Sequence, residues 1–156
     1  MIKVLRAAVL AVVLGVLSSA VASAAPYETP FFRINMPDNW TLLQTEDLNY
    51  LDIAVFVNAK RDTTVECIVG GGDRLTLQLV AECYAEQYNA KKPISVGKDV
   101  ASFNYTTFEG LPGSARIVLA NDAFLVTTIG GDQTEGHKFL RNLEAVAPYE
   151  AFALVK

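Results

Sequence analysis

The chain has few of the residues that most often do chemistry. One histidine, two cysteines and one tryptophan are spread over 156 residues. The lone His137 has no companion His, Cys or carboxylates at a ligand spacing, so no metal site is expected, and its place beside Glu135 and Lys138 reads as a surface position. No nucleophile elbow or related motif is present, so no Ser/His/Asp triad is identifiable and no catalytic residue is assigned. Positive charge is also scarce. Thirteen Lys and Arg stand against 17 Asp and Glu, for a formal charge of −4, and no basic cluster stands out. Such a chain cannot gain the counterion-release energy that drives nucleic-acid or anionic-membrane binding, which argues against both as partners.

The longest apolar run is at the start. Lys3 and Arg6 precede an apolar stretch from Ala7 to Leu17, followed by Ser18 to Ala24 ending in Ala22-Ser23-Ala24. This is the layout of a secretory leader, with small residues at the two positions a signal peptidase inspects. Cleavage after Ala24 leaves 132 of the 156 residues and, with Lys3 and Arg6 gone, takes the charge from −4 to −6. The apolar stretch is short of the ~20 residues a span needs, and no later stretch approaches that, so stable membrane insertion of the mature chain is not expected. No cysteine follows the leader as a lipid attachment point. The expectation is a periplasmic or secreted chain with one domain from residue 25 to 156.

That domain alternates strand and helix signals. Phe32, Ile34 and Met36 alternate with Arg33 and Asn35, the period of a half-buried strand, and Pro37-Asp38-Asn39 ends it by turn chemistry. Trp40 and Leu42 begin another strand, with Gln44 to Asn49 read as a polar loop. Leu51 to Asn58 and Thr63 to Val69 form a hairpin, the second arm putting Val65, Cys67 and Val69 on one face and Glu66 and Ile68 on the other. Gly70-Gly71-Gly72 breaks it. Asp73 stands where a phosphate loop wants a lysine, so the glycines read as a connection rather than an anion cradle. Thr76 caps a helix to about Asn89 whose buried stripe is Val80, Cys83, Tyr84 and Gln87, with Lys91, Lys92 and Pro93 at its end. Strands then recur through Ile94 to Val96, Ser102 to Phe108, Ala115 to Leu119 and Phe124 to Ile129. A closing helix from about Gln133 carries Phe139, Leu140, Leu143 and Val146 at 3/4 spacing.

A mostly antiparallel sheet with one helix midway and another at the end is an α+β arrangement. The opening Phe32-Arg33-Ile34-Asn35-Met36-Pro37-Asp38-Asn39-Trp40, the hairpin, the Thr-capped helix, a second meander through Gly110 and the closing Phe-Leu-x-x-Leu-x-x-Val helix resemble the PsbP-like superfamily. That group includes the extrinsic photosystem II subunit, a small Ran-binding nuclear import factor and bacterial DcrB-type envelope proteins. The resemblance implies an α/β/α sandwich that serves as a binding module, with no shared catalytic site to carry over.

Two sets of residues are candidates for a role. Cys67 lies about three residues before its strand ends and Cys83 about seven into its helix, so rises of ~3.3 and ~1.5 Å per residue set both roughly 10 Å from the connection. They then stack across the layer, and an oxidising compartment permits a bridge, although Cα atoms within ~6.8 Å are tight for a helix on a sheet. A disulfide and two buried thiols are both open, with the disulfide taken as the expectation. The second set is Tyr105, Phe108 and Leu111, where aromatics join a Gly-Leu-Pro-Gly turn able to present Leu111 on a constrained backbone, as a partner-binding surface. Carboxylates such as Glu46 and Asp47 read as solvated. The functional expectation is an exported, non-enzymatic binding module of the cell envelope, without cofactor, engaging a protein or small molecule. The alternative is a periplasmic immunity or inhibitor protein that blocks a toxin or hydrolase. A hydrolase with an atypical site is a third, weaker reading.

Overall fold

The computed structural model describes residues 25–48, 50–72, 74–91 and 94–156. The leader assigned to Met1 to Ala24, Asp73 of the glycine connection, and Lys92 and Pro93 after the first helix lie outside the described residues.

Seven strands form one antiparallel sheet. Its order is β3 (Trp40–Asp47), β4 (Leu51–Asn58), β5 (Thr63–Gly71), β9 (Ala123–Gly131), β8 (Pro112–Ala120), β7 (Val100–Thr106) and β6 (Ser95–Val96). A second, three-stranded sheet joins β1 (Tyr27–Glu28), β2 (Phe32–Ile34) and β10 (Leu143–Ala145). Among the described residues, two α-helices, α1 (Leu77–Gln87) and α2 (Gln133–Leu140), and a terminal 3-10 helix over Glu150–Val155 accompany the sheets. The architecture is α+β, with the large sheet covered on both faces.

The covers differ. One face meets α2, the small sheet and the 3-10 helix around a core of Phe32, Ile34, Trp40, Phe56, Phe139 and Phe152. Phe139 is the centre of that core, its ring 4.2 Å from Trp40 and 5.0 Å from Phe56. Gly136 lets α2 lie directly on β9, since a Cβ there would come 2.3 Å from Ile129. On the other face α1 and its flanking residues pack over Ile53, Ile68, Ile117, Phe124 and Val126. Thr76 caps α1 as its sequence predicts, the hydroxyl accepting from the Leu79 amide at 3.1 Å. The buried stripe of α1 is Val80, Ala81, Tyr84 and Ala85. It is turned toward the two alanines, whose size allows close approach to the sheet, which leaves Cys83 on the flank.

Three expectations are corrected. Gln44 to Asp47 is strand rather than loop, because pairing with β4 continues to Asp47 opposite Asp52. The polar character of this stretch marks an edge strand, one that also carries a register shift between Leu42 and Gln44. Leu143 and Val146 do not continue the closing helix. The Asn142 amide nitrogen donates to the carbonyls of Lys138 and Phe139 and ends α2, after which Leu143 is buried as a strand residue opposite Ile34 and Val146 is exposed. The disulfide is absent, and both cysteines are free. Strand alternation points Cys67, 1% exposed, into the α2-side core with Val65 and Val69, while α1 and Cys83 lie over the opposite face with Ile68. The sheet stands between the two sulfurs. Val65, Cys67 and Val69 share one face, as their alternation predicts, but the helix covers the other face.

Candidate functional site

Antiparallel registers line up side chains in rows across the α1-side face. The row Ala101–Ile117–Val126–Ile68–Ile53 is apolar and sits beneath the helix. One step along the strands, the row Phe103–Ala115–Thr128–Glu66–Val55 becomes mixed. A further step gives Tyr105–Gly113–Gly130–Thr64–Val57, polar or without side chain at its centre. Apolar cover thins out toward the end of the sheet that carries the β7–β8 hairpin.

Glu66 stands at this transition. Tyr88, the residue capping the end of α1, donates its phenol to the Glu66 carboxylate, and the Thr128 hydroxyl lies 3.4 Å from the same oxygen. Burial raises the Glu66 carboxyl above the ordinary glutamate range, opposed by those two hydrogen bonds and reinforced by Glu46. Burial likewise holds the Tyr88 phenol well above its usual range, with Glu66 adding to it. Tyr105 is pushed up to about 12, chiefly by burial, while the Thr128 hydroxyl that bonds it works the other way. The three rings Tyr88, Phe103 and Tyr105 touch one another, Tyr88 and Tyr105 at 4.6 Å. Gly113 makes room for this, because a Cβ there would fall 2.5 Å from the Tyr105 ring. The cluster is a packed plug, closing the end of the core with satisfied polar groups.

Beyond the plug the hairpin tip projects. The Gly110 amide donates to the Thr107 carbonyl, the Thr107 amide to the Leu111 carbonyl, both at 2.9 Å, and the Thr107 hydroxyl accepts from the Leu111 amide at 3.0 Å. Gly110 supplies the left-handed conformation, φ +81°, on which this closed turn depends. At the base, the Gln133 side-chain amide donates to the Pro112 carbonyl at 3.2 Å and to Gly131 at 3.1 Å, fastening the hairpin to the start of α2. Phe108 rides on this fixed backbone 95% exposed, with Leu111 beside it at 39%. Tyr105 is half-buried in the plug. The three residues singled out from sequence therefore share one hairpin, with Phe108 and Leu111 presented at its tip and Tyr105 anchoring its root.

The other candidates are scattered. His137 is half-buried on α2, its imidazole pushed below the usual range by burial and by Arg116 and Arg141. A depression of about 350 Å3 at the opposite end of the sheet is lined by Leu77, Leu119, Ala151 and Leu154, with Lys98 and Asp99 its charged residues. Among the described residues no three His, Cys, Asp or Glu converge as metal ligands, and no helix is long and apolar enough to cross a membrane. Sequence reading passed over the role of Glu66 in the plug. Its signal is a single carboxylate inside the apolar run Val65-Glu66-Cys67-Ile68-Val69, on the face that the helix covers.

This arrangement is a PsbP-like fold. The solution structure of cyanobacterial PsbP (CyanoP) from Synechocystis sp. PCC 6803 matches with a TM-score of 0.53 at 11% identity, over 83% of this chain and 99% of that one. A crystal structure from Bacteroides thetaiotaomicron VPI-5482 aligns at TM-score 0.49 and 15% identity over 79% of this chain and 48% of that one, so the chain spans about half its length. No protein-family model matches the sequence, and no curated protein does.

Proposed function

We propose that this chain is an exported, non-catalytic binding module of the cell envelope that grips a protein partner with the tip of the β7–β8 hairpin. The observation that carries the reading is Phe108, a large aromatic ring held almost fully in solvent on a turn closed by three hydrogen bonds. Exposing such a ring gains nothing for folding, and its rigid backbone removes the ordering cost that a flexible loop would meet on binding. Leu111 widens the contact, and the Tyr105–Tyr88–Glu66 plug stiffens the root from which both project. The leader pattern of Met1 to Ala24 supports export.

Site-specific photocrosslinking from position 108 in native envelope tests the reading. A discrete adduct that disappears in Leu111→Asp, with an unchanged melting temperature, supports it. Adducts that are diffuse, or that survive Leu111→Asp unaltered, overturn it. Intact-mass analysis of the same material tests export, a chain beginning at Ala25 being expected and one retaining Met1 to Ala24 counting against it.

A further inference from the structure

The sheet ends in two unlike edges. β6 has two residues, whereas β3 has eight, and among the described residues no strand pairs with the outer side of β3. A long unpaired edge is a template for another strand, and native proteins blunt it with bulges and charge. β3 carries both, in a particular arrangement. Its register shift falls at Leu42/Gln44 and leaves Leu43 54% exposed, and Tyr50, just past the strand, is 78% exposed. Its charges are all negative. Glu46 shares the α1-side face with Ile53 and acts electrostatically on Glu66, while Asp47 lies directly opposite Asp52 on the other face. The edge is thus negative on both faces, and a basic strand is its electrostatic complement.

We infer that the β3 edge accepts an extended, basic segment of a partner protein as an added strand. Backbone pairing would supply the register, and lysines or arginines at successive positions would reach Glu46 on one face and Asp47 with Asp52 on the other, because successive side chains of a strand alternate between faces. Leu43 and Tyr50 offer apolar contact along the same edge. A second copy of this chain is the wrong occupant, since it would bring one acidic edge against another in a chain already at −4. The inference is independent of the hairpin tip, which lies at the far end of the sheet from Tyr50.

The test uses the full chain and a labelled ten-residue peptide in which adjacent lysine pairs are set among valine and threonine, so that lysines face both sides of the added strand, read by fluorescence anisotropy. Saturable binding is expected that is lost when the peptide is N-methylated along both edges, that falls about tenfold or more in the Glu46→Lys/Asp47→Lys variant, and that this variant gives instead to a glutamate-for-lysine peptide. The variant's urea midpoint shows that it is folded, and Glu109→Lys, a distant charge reversal, should leave affinity unchanged. Phe108→Ala should also leave it unchanged, which separates failure here from failure of the hairpin reading. Absence of binding, or binding indifferent to N-methylation, overturns the inference. So does self-association of the full chain that Glu46→Lys/Asp47→Lys abolishes, which would put a second copy on the edge.

Discussion

The two faces of the large sheet share seven strands and are finished in different ways. On the α2 side, a helix, a small sheet and a 3-10 helix leave the core sealed, with Phe32, Phe56, Phe139 and Phe152 all fully buried. On the α1 side a single helix covers the apolar rows, and the face closes at one end with Glu66, Tyr88, Thr128 and Tyr105 rather than with hydrocarbon. A sealed face is specified by packing alone. A face closed by a polar plug beside an exposed hairpin tip is expected to tolerate disturbance there better than the sealed core does, and single substitutions separate the two.

The largest effect belongs to the sealed face. Phe139→Ala removes the ring between Trp40 and Phe56 and leaves a cavity that three separate covers cannot all collapse into, so a loss of about 3–5 kcal/mol is expected. Urea unfolding followed by Trp40 fluorescence measures it. A loss near 1 kcal/mol would mean that the face repacks and the contrast between the faces is unfounded.

Gly113→Ala probes the other closure. The added methyl must displace the Tyr105 ring, and overpacking of a well-filled site costs about 1–3 kcal/mol. Because Tyr105 sits at the open end, its ring has solvent to swing into, so the loss should fall near the bottom of that range and be accompanied by greater accessibility of tyrosine to iodination. A loss as large as that of Phe139→Ala would show the plug to be as rigid as the sealed core.

How much of this was legible beforehand follows from which forces act locally. Period-2 alternation, the Thr76 cap and the β4–β5 hairpin are written in neighbouring residues, and they appear where the sequence places them. The faces to which Cys67 and Cys83 belong depend on which side of the sheet α1 crosses to, and strand alternation carries no information about that. Leu143 shows the same limit, since its spacing from Phe139 and Leu140 suits a helix and only the long-range pairing with Ile34 makes it a strand residue. Of the hairpin trio, the exposed tip was readable from turn chemistry. The burial of Tyr105 against Gly113 was not, because a glycine's neighbour across the sheet is set by register.

Glu66 should make the plug respond to pH. Its carboxyl is raised in the folded state above the ordinary glutamate range, so the folded state holds its proton more tightly than the unfolded chain does. Its contribution to stability is therefore full below the ordinary value and is lost as pH rises through the raised one. Urea midpoints taken from acid to neutral pH should decline across that window in the native chain relative to Glu66→Gln. An identical profile for the two proteins would remove Glu66 from the account.

The thiols should have less effect still. With Cys67 in the sealed core and Cys83 on the flank of α1, a reductant should leave the melting temperature unchanged. A maleimide should label Cys83 in the native chain and both thiols only after unfolding. Labelling of neither in unreduced, unfolded protein would reveal a bridge and require α1 to cross to the other face.

The smallest effect on stability should come from the most conspicuous side chain. Phe108 is 95% exposed, so truncating it to alanine removes almost no buried surface. The turn beneath it is held by Thr107, Gly110 and Leu111 through backbone groups and the Thr107 hydroxyl, none of which the substitution touches. Surface changes of this kind stay within about 0.5 kcal/mol of the native chain. Phe108→Ala should therefore unfold at the native urea midpoint while losing capture of any partner that the proposed function requires, a split that a structural residue cannot produce. A destabilisation of about 1 kcal/mol or more would mean that the ring packs on the body of the protein, and the tip would then belong with the plug rather than with the partner.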